Sequence, residues 1–185
     1  MKKILLTIVC VIGLLENNSY ARIGETLAQC EARYGSRITK ADLIREYLLW
    51  MVSPAPRDAI GKNGEVNLFG SIYYFFKTGD YVICCKLFDD KIEAIRFMKN
   101  ETWERKPVKL DEKEIYTFLK ANKCEDEWVD RDRDVWTSQK SKQRAFVDSN
   151  VLKIFSGAFV DRTTKKMEII EKQKLEKEKS VLDKF

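Results

Sequence analysis

The chain has 185 residues, with 34 lysines and arginines against 29 aspartates and glutamates, and it contains no histidine. The lack of histidine excludes Ser-His-Asp and Cys-His catalytic arrangements, histidine general bases and most catalytic metal centres. Charges of both signs are mixed along the chain, which indicates a soluble surface instead of a phosphate-binding face. We therefore expect no nucleic acid partner. We also expect no cofactor, because the sequence lacks the glycine motifs that bind dinucleotides and phosphates.

Residues 1–21 have the pattern of a secretory signal peptide. Two lysines precede an uncharged run over 4–15, and "SYA" places small residues at the third-last and last positions before a cleavage point. The alternative is a retained anchor, but a spanning helix needs about 20 apolar residues and this run ends at Glu16. We expect cleavage after Ala21, no transmembrane segment in the mature chain, and a periplasmic or secreted location.

Two helical patterns and three strand-like runs follow. "GETLAQCEARYG" repeats apolar residues at helical spacing and ends in glycine, and "ITKADLIREYLLWMV" does the same before two prolines. After the loop "SPAPRDAIGKNGEVN" come the strand-like runs "LFGSIYYFFK", "YVICCKLF" and "KIEAIRFMK". Their short connections, "TGD" and "DD", require antiparallel neighbours, so we predict a meander.

The order of helix and strands recurs in the second half of the chain. "LDEKEIYTFLKANK" predicts a helix with Asp111 as its N-cap and Glu114 as the capping-box partner. Further strand-like runs are "VWTS", "QRAFVDS" and "VLKIFSG". We predict one α+β domain over 22–162, with helices packed on one face of an antiparallel sheet in two helix-plus-strands halves, and a charged helical extension over 163–185.

Two stretches carry a resemblance to known proteins. "IGETLAQCEARYG" and "FFKTGDYVICCKLFDDKIEAIRFMK" resemble an uncharacterised family of small exported bacterial proteins. The layout is also distantly similar to that of the BamE and β-lactamase-inhibitor-protein group, in which a helix or helical hairpin precedes an antiparallel sheet. The resemblance covers mainly 22–35 and 75–99 and implies a binding or assembly role. The chain departs from this layout in its additional second helix and in lacking a lipobox.

The cysteines beyond the signal peptide are candidates for disulfides in an exported protein. They are Cys30, Cys84, Cys85 and Cys124. Adjacent strand residues point to opposite faces, so Cys84 and Cys85 cannot reach the same partner. Cys85 lies on the apolar face of its strand and is the better candidate for a bridge to Cys30, which leaves Cys84 and Cys124 for each other or free. The alternative is that some or all of them are small buried hydrophobic side chains. A zinc site is disfavoured, because the chain has no CxxC pair and no histidine.

Tryptophans among charged residues are candidates for an interface, and here they are Trp103, Trp128 and Trp136. The alternative is that they pack loops back onto the edge of the sheet. The run "DRDRD" over 130–134 has the spacing of the first calcium-loop ligands but lacks the later glycine and glutamate, so we interpret it as a solvated charged loop.

No motif in the chain indicates an activity, and we single out no catalytic, cofactor or metal residue. The leading hypothesis is a non-enzymatic exported module that binds a protein or an envelope component. One alternative is a small hydrolase that uses two carboxylates, although no pair stands out among the acidic residues. The other is a binder of anionic surfaces that works through the C-terminal helix.

Overall fold

A computed structural model of the protein describes residues 22–49, 57–68, 70–100, 107–122 and 126–182. The predicted signal peptide, Trp103 and Cys124 lie outside these residues. The described helices are α1 Leu27–Tyr34, α2 Ala41–Leu49, α3 Glu112–Ala121 and α4 Gly157–Leu182. The described strands are β1 Val66–Leu68, β2 Ser71–Thr78, β3 Tyr81–Phe88, β4 Lys91–Lys99, β5 Val129–Asp132, β6 Val135–Thr137, β7 Arg144–Asp148 and β8 Val151–Phe155.

All eight strands belong to one antiparallel sheet, in the order β1-β2-β3-β4-β8-β7-β6-β5. The sheet therefore consists of two four-stranded meanders, which meet where β4 pairs with β8 and Phe97 lies opposite Leu152. Helices α1 and α2 precede the first meander, and α3 precedes the second. The α+β class, the antiparallel sheet and the two helix-plus-strands halves are confirmed.

Two of the hairpins have turns whose central residues both adopt positive φ angles. In the β3–β4 turn these are Asp89 and Asp90, with φ of 48° and 58°, and in the β7–β8 turn they are Ser149 and Asn150, with 52° and 65°. Two-residue turns of this type match the right-handed twist of the strands that they join. The predicted "DD" turn is therefore confirmed, and it fixes the register of β3 against β4.

Reciprocal capping boxes begin helices α1 and α3. Thr26 and Gln29 form the first, and Asp111 and Glu114 form the second, as predicted for that helix. Each box satisfies two backbone N–H groups that the first helical turn leaves without partners. The fourth residue after the N-cap, which is Cys30 in α1 and Ile115 in α3, is buried in both helices.

The core has one hydrophobic cluster on each face of the sheet. Helices α1 and α3 cover the first face, where Cys30 and Phe118 pack with side chains of the central strands. Helix α2 covers the opposite face, where Leu48 packs with another set from the same strands. This placement of α2 corrects the prediction that the helices share one face. The reason is that β3 and β4 carry buried side chains on both faces, so a helix must shield each face of the sheet from water.

The C-terminal helix starts within the domain, six residues before the predicted boundary at 163. Its first turn packs on the sheet, because the ring of Phe159 stacks on that of Phe155 at 5.0 Å between centroids. Gly157 permits this approach, since a Cβ atom there would lie 2.3 Å from the carbonyl oxygen of Ser141. An ion pair between Arg162 and Glu93 closes the contact. No helix in the described ranges is long and apolar enough to cross a membrane.

Candidate ligand groove

An open groove of about 540 Å³ lies between the start of α3 and the β5–β6 hairpin. It is lined by Lys109, Leu110, Asp111, Glu112, Ile115, Tyr116, Asp130, Asp134 and Trp136. The lining thus combines four carboxylates and two aromatic rings with a single lysine. Negative charge predominates here, although the whole chain carries a net charge of +5.

Two aromatic side chains form the apolar part of this groove. Trp136 is 5% exposed, and its indole N–H has no hydrogen-bond partner among the described residues. The ring of Tyr116, which is 47% exposed, meets it edge to face at 6.4 Å between centroids. Strand β6 fixes the position of Trp136, because it pairs with Asp130 of β5 on one side and Ala145 of β7 on the other.

The carboxylates of the groove come from both of its walls. Asp111 and Glu112 lie at the N-terminus of α3, and Asp130 and Asp134 belong to the β5–β6 hairpin. Within the described residues, Glu112, Asp130 and Asp134 have no ion-pair partner. The described acidic side chains also form no group suited to holding a metal ion. The groove therefore presents an excess of negative charge, which Lys109 offsets only in part, in an arrangement suited to an organic cation.

Glu114 holds the α3 wall against the sheet. Its carboxylate accepts hydrogen bonds from the Tyr81 hydroxyl and from Lys99 Nζ, the latter at 2.8 Å. Burial raises the pKa of Glu114, but the hydrogen bonds from Lys99 and Tyr81 outweigh this effect and the pKa lies below its ordinary value. The carboxylate therefore stays charged at neutral pH and fixes α3 to β3 and β4.

Trp128 holds the end of α3 against the segment that leads into β5. Its indole N–H donates a hydrogen bond of 2.7 Å to the carbonyl oxygen of Leu119, and its ring packs against the core. This arrangement matches the packing alternative for Trp128. Of the three predicted interface residues, Trp136 lines the groove, Trp128 supports its wall, and Trp103 lies outside the described residues. Their part in an interface stays a prediction.

Asp126 ties the same segment to the turn between β6 and β7. Its carboxylate accepts hydrogen bonds from the Ser138 hydroxyl and from the backbone N–H of Lys140, the latter at 2.7 Å. These two donors, with Ser141, lower the pKa of Asp126 to about 2. Both ends of the β5–β6 hairpin are therefore anchored beside the groove.

We expect Asp126 to make the stability of the protein depend on pH in acid. The folded-state pKa of about 2 lies below the ordinary value of 3.8. Its stabilising effect is therefore complete above pH ~4 and is lost as the pH falls towards 2. Urea unfolding should show wild type to be more stable than Asp126→Asn at pH 7, and the difference should shrink steadily as the pH falls from about 4 to 2. A difference that persists unchanged at pH 2 would contradict the role of the charged carboxylate.

The cysteines occupy opposite faces of the sheet, as strand alternation predicts. Cys30 and Cys85 lie in the cluster beneath α1, whereas Cys84 lies in the cluster beneath α2. The three cysteines within the described ranges are free thiols in this structure. Burial raises the pKa of Cys84 to about 11. The predicted pair Cys30 and Cys85 shares one cluster as free thiols, and a bond between them stays a prediction.

Helix α4 projects from the domain beyond its docked first turn. Residues 161–178 are exposed, including four large apolar side chains. These are Met167, Ile169, Ile170 and Leu175. The same stretch contains six basic and five acidic residues, so its charge gives little preference for an anionic surface. Binding through this helix stays a prediction.

Comparison of the chain with models of protein families, with curated proteins and with solved structures finds no significant match.

Proposed function

We propose that the protein is a non-enzymatic exported binding module, whose groove holds an arginine or lysine side chain from a basic segment of a partner protein. The observation that carries this proposal is the set of carboxylates without ion-pair partners around Trp136 and Tyr116. A periplasmic or secreted location is part of the proposal and depends on the sequence pattern of residues 1–21.

Aromatic rings and carboxylates favour the same kind of ligand. The face of an aromatic ring attracts a cation with about 0.5–2 kcal/mol, the larger values applying where water is excluded. A carboxylate forms strong charge-assisted hydrogen bonds with a guanidinium or ammonium group, and with arginine these are frequently bidentate. A groove that offers carboxylates beside the exposed ring of Tyr116 therefore favours a cationic side chain over a neutral or acidic one.

The size and openness of the groove favour a segment of a larger partner. A volume of about 540 Å³ accommodates a few side chains, within the usual range for small-ligand sites. Because the rim is exposed to solvent, the electrostatic part of the affinity should fall at high salt. A basic peptide in extended conformation fits these properties.

The test is the affinity for a fluorescent arginine-containing peptide, measured by anisotropy, for wild type and for the double variant Asp130→Asn, Asp134→Asn. Asparagine keeps the side-chain shape, and it tolerates the positive φ of 62° at position 134. We expect the double variant to bind about tenfold more weakly, because two attractive charges are lost. Both positions are exposed, so the fold should survive.

The matched control is Asp58→Asn, Asp80→Asn, which removes the same charge from exposed positions outside the groove. It should bind the peptide as wild type does, and a glutamate-containing peptide should not bind. Equal weakening in the two double variants would mean that only net charge matters. That result, or an absence of binding to wild type, would overturn the proposed function.

A further inference from the structure

The face of the sheet beneath α2 continues past that helix as a band of cationic and aromatic side chains. Two rows of directly paired residues cross β3, β4, β8 and β7 here. The first row is Cys84, Arg96, Lys153 and Phe146, and the second is Lys86, Ala94, Phe155 and Arg144. Paired residues share a face of the sheet, as do residues two apart in a strand, and Cys84 belongs to the cluster beneath α2. The four cations of these rows, which we call the cationic strip, are therefore neighbours on that face: Lys86, Arg96, Arg144 and Lys153.

The cationic strip lies between two helices. On one side, the next row along the strands contains Val82, Met98 and Val151, which are buried in the cluster beneath α2. On the other side, the first turn of α4 places the ring of Phe159 on that of Phe155. The two rows lie ~7 Å apart along the strands and extend ~14 Å across them, from β3 to β7. Because the strip is narrow and bordered by helices, it suits an extended chain better than a flat surface.

The aromatic rings beside the strip are occupied by neighbouring side chains. The ring of Phe155 stacks on those of Phe146 and Phe159, at 5.5 Å and 5.0 Å between centroids. The Nζ atom of Lys153 lies 5.4 Å from the centroid of Phe146, and that of Lys86 lies 4.4 Å from the centroid of Phe159. Each of the three rings thus contacts two neighbours. Single-stranded nucleic acids bind largely by stacking bases on aromatic rings, so this arrangement disfavours them.

The positive charge of the strip is balanced only in part. Lys153 forms an ion pair with Asp148. Lys86 and Arg144 form no ion pair with any residue that the structure describes. Lys86 is half-buried and Arg144 is exposed, so an anionic ligand can reach both from solvent.

The electrostatics at Lys86 show the same excess of positive charge. Partial burial lowers the pKa of Lys86, and the charges of Arg162 and Arg96 lower it further. The carboxylate of Glu93 opposes this effect only in part, and it forms an ion pair with Arg162. A carboxylate bound beside Lys86 would therefore stabilise its charged form.

We propose that the cationic strip binds an acidic segment of a partner protein in extended conformation, with its lysine and arginine side chains donating hydrogen bonds to aspartate or glutamate. Charge complementarity selects an anionic partner, and hydrogen bonds between charged groups are about twice as strong as neutral ones. The narrow strip and the occupied rings favour a peptide over a membrane or a nucleic acid. The groove lies beside α3, which covers the opposite face of the sheet, so the two sites are separate.

The experiment measures, by fluorescence anisotropy at low salt, the affinity for a labelled peptide in which glutamate alternates with serine. We expect Lys86→Gln, Arg144→Gln to bind it about tenfold more weakly than wild type, because two attractive charges are lost. The exchange Lys86→Arg, Arg144→Lys keeps both charges and should bind the peptide nearly as well as wild type. Binding to wild type should weaken at high salt.

The matched control is Lys62→Gln, Lys113→Gln, which removes the same charge from exposed positions in the loop before β1 and in α3. It should bind the acidic peptide as wild type does. Equal weakening in the strip variant and in this control, or no binding to wild type, would overturn the proposal. The strip variant should still bind the arginine-containing peptide, so failure here is distinct from failure of the groove.

Other anionic occupants are tested in parallel. A single-stranded DNA oligonucleotide and vesicles of anionic phospholipid should bind wild type more weakly than the acidic peptide does. Tighter binding of either one, lost in the strip variant, would overturn the proposal. Sedimentation velocity tests a second copy of the chain as the occupant. Self-association of wild type that the strip variant loses would assign the strip to an interface between copies, and would also overturn the proposal.

Discussion

Replacing Phe118 by alanine is expected to lower the free energy of unfolding by about 3–5 kcal/mol. Phe118 is 1% exposed, and its ring stacks on that of Phe97 at 4.1 Å between centroids. Tyr81 meets the same ring edge-on at 5.3 Å. The sheet holds both neighbours in place, so the cavity left by the ring cannot collapse completely. Since α3 forms one wall of the groove, we expect peptide binding to weaken as well.

Urea unfolding measures this effect, and Lys120→Ala is its control. Lys120 is exposed on the same helix, and its replacement should change the free energy of unfolding by less than about 0.5 kcal/mol. The Phe118 variant should also melt roughly 6–20 °C lower than wild type. Similar effects of the two substitutions would contradict the packing of α3 on this face.

Replacing Leu48 by alanine should cost about 2–5 kcal/mol and tests the opposite face of the sheet. Leu48 is fully buried in α2, in the cluster that also contains Phe75 and Cys84. The substitution removes most of a side chain that joins α2 to β2 and β3. Because this cluster lies across the sheet from α3, its effect should add to that of the Phe118 substitution within about 0.5 kcal/mol.

The neighbouring leucine gives a matched control for this prediction. Leu49 is 56% exposed on the same helix, so Leu49→Ala should leave the free energy of unfolding within about 0.5 kcal/mol of wild type. Chemical unfolding of both variants under the same conditions shows whether the side of α2 that carries Leu48 or the side that carries Leu49 packs on the sheet. A larger loss from Leu49 than from Leu48 would mean that α2 presents its other side to the sheet.

Much of the fold follows from local patterns in the sequence. Short polar connections between apolar runs predict antiparallel hairpins, and Asp111 with Glu114 predicts where α3 begins. The placement of α2 was missed, although the run "YVICCKLF" contains a signal for it. Apolar residues at nearly every position indicate a strand buried on both faces, which requires a cover on each side.

The groove could be predicted only in part. The charged surroundings of Trp136 make it a candidate, but the spacing of Asp130 and Asp134 predicts only a solvated loop. Their role depends on how the β5–β6 hairpin packs beside α3, a tertiary contact that periodicity does not encode. The burial of Cys30 and Cys85 on the same face of the sheet, by contrast, follows from helical spacing and strand alternation, which are local rules.

The most direct measurement of the central claim is a nuclear magnetic resonance titration of ¹⁵N-labelled protein with the arginine-containing peptide. The account predicts shifts of backbone signals from residues 109–116 and 130–136, together with the indole N–H signal of Trp136, and a loss of these shifts at high salt. The indole signal of Trp128, which is hydrogen-bonded to Leu119, should change less. Shifts confined to other surfaces, such as the exposed part of α4, or no shifts at all, would contradict a cation-binding groove.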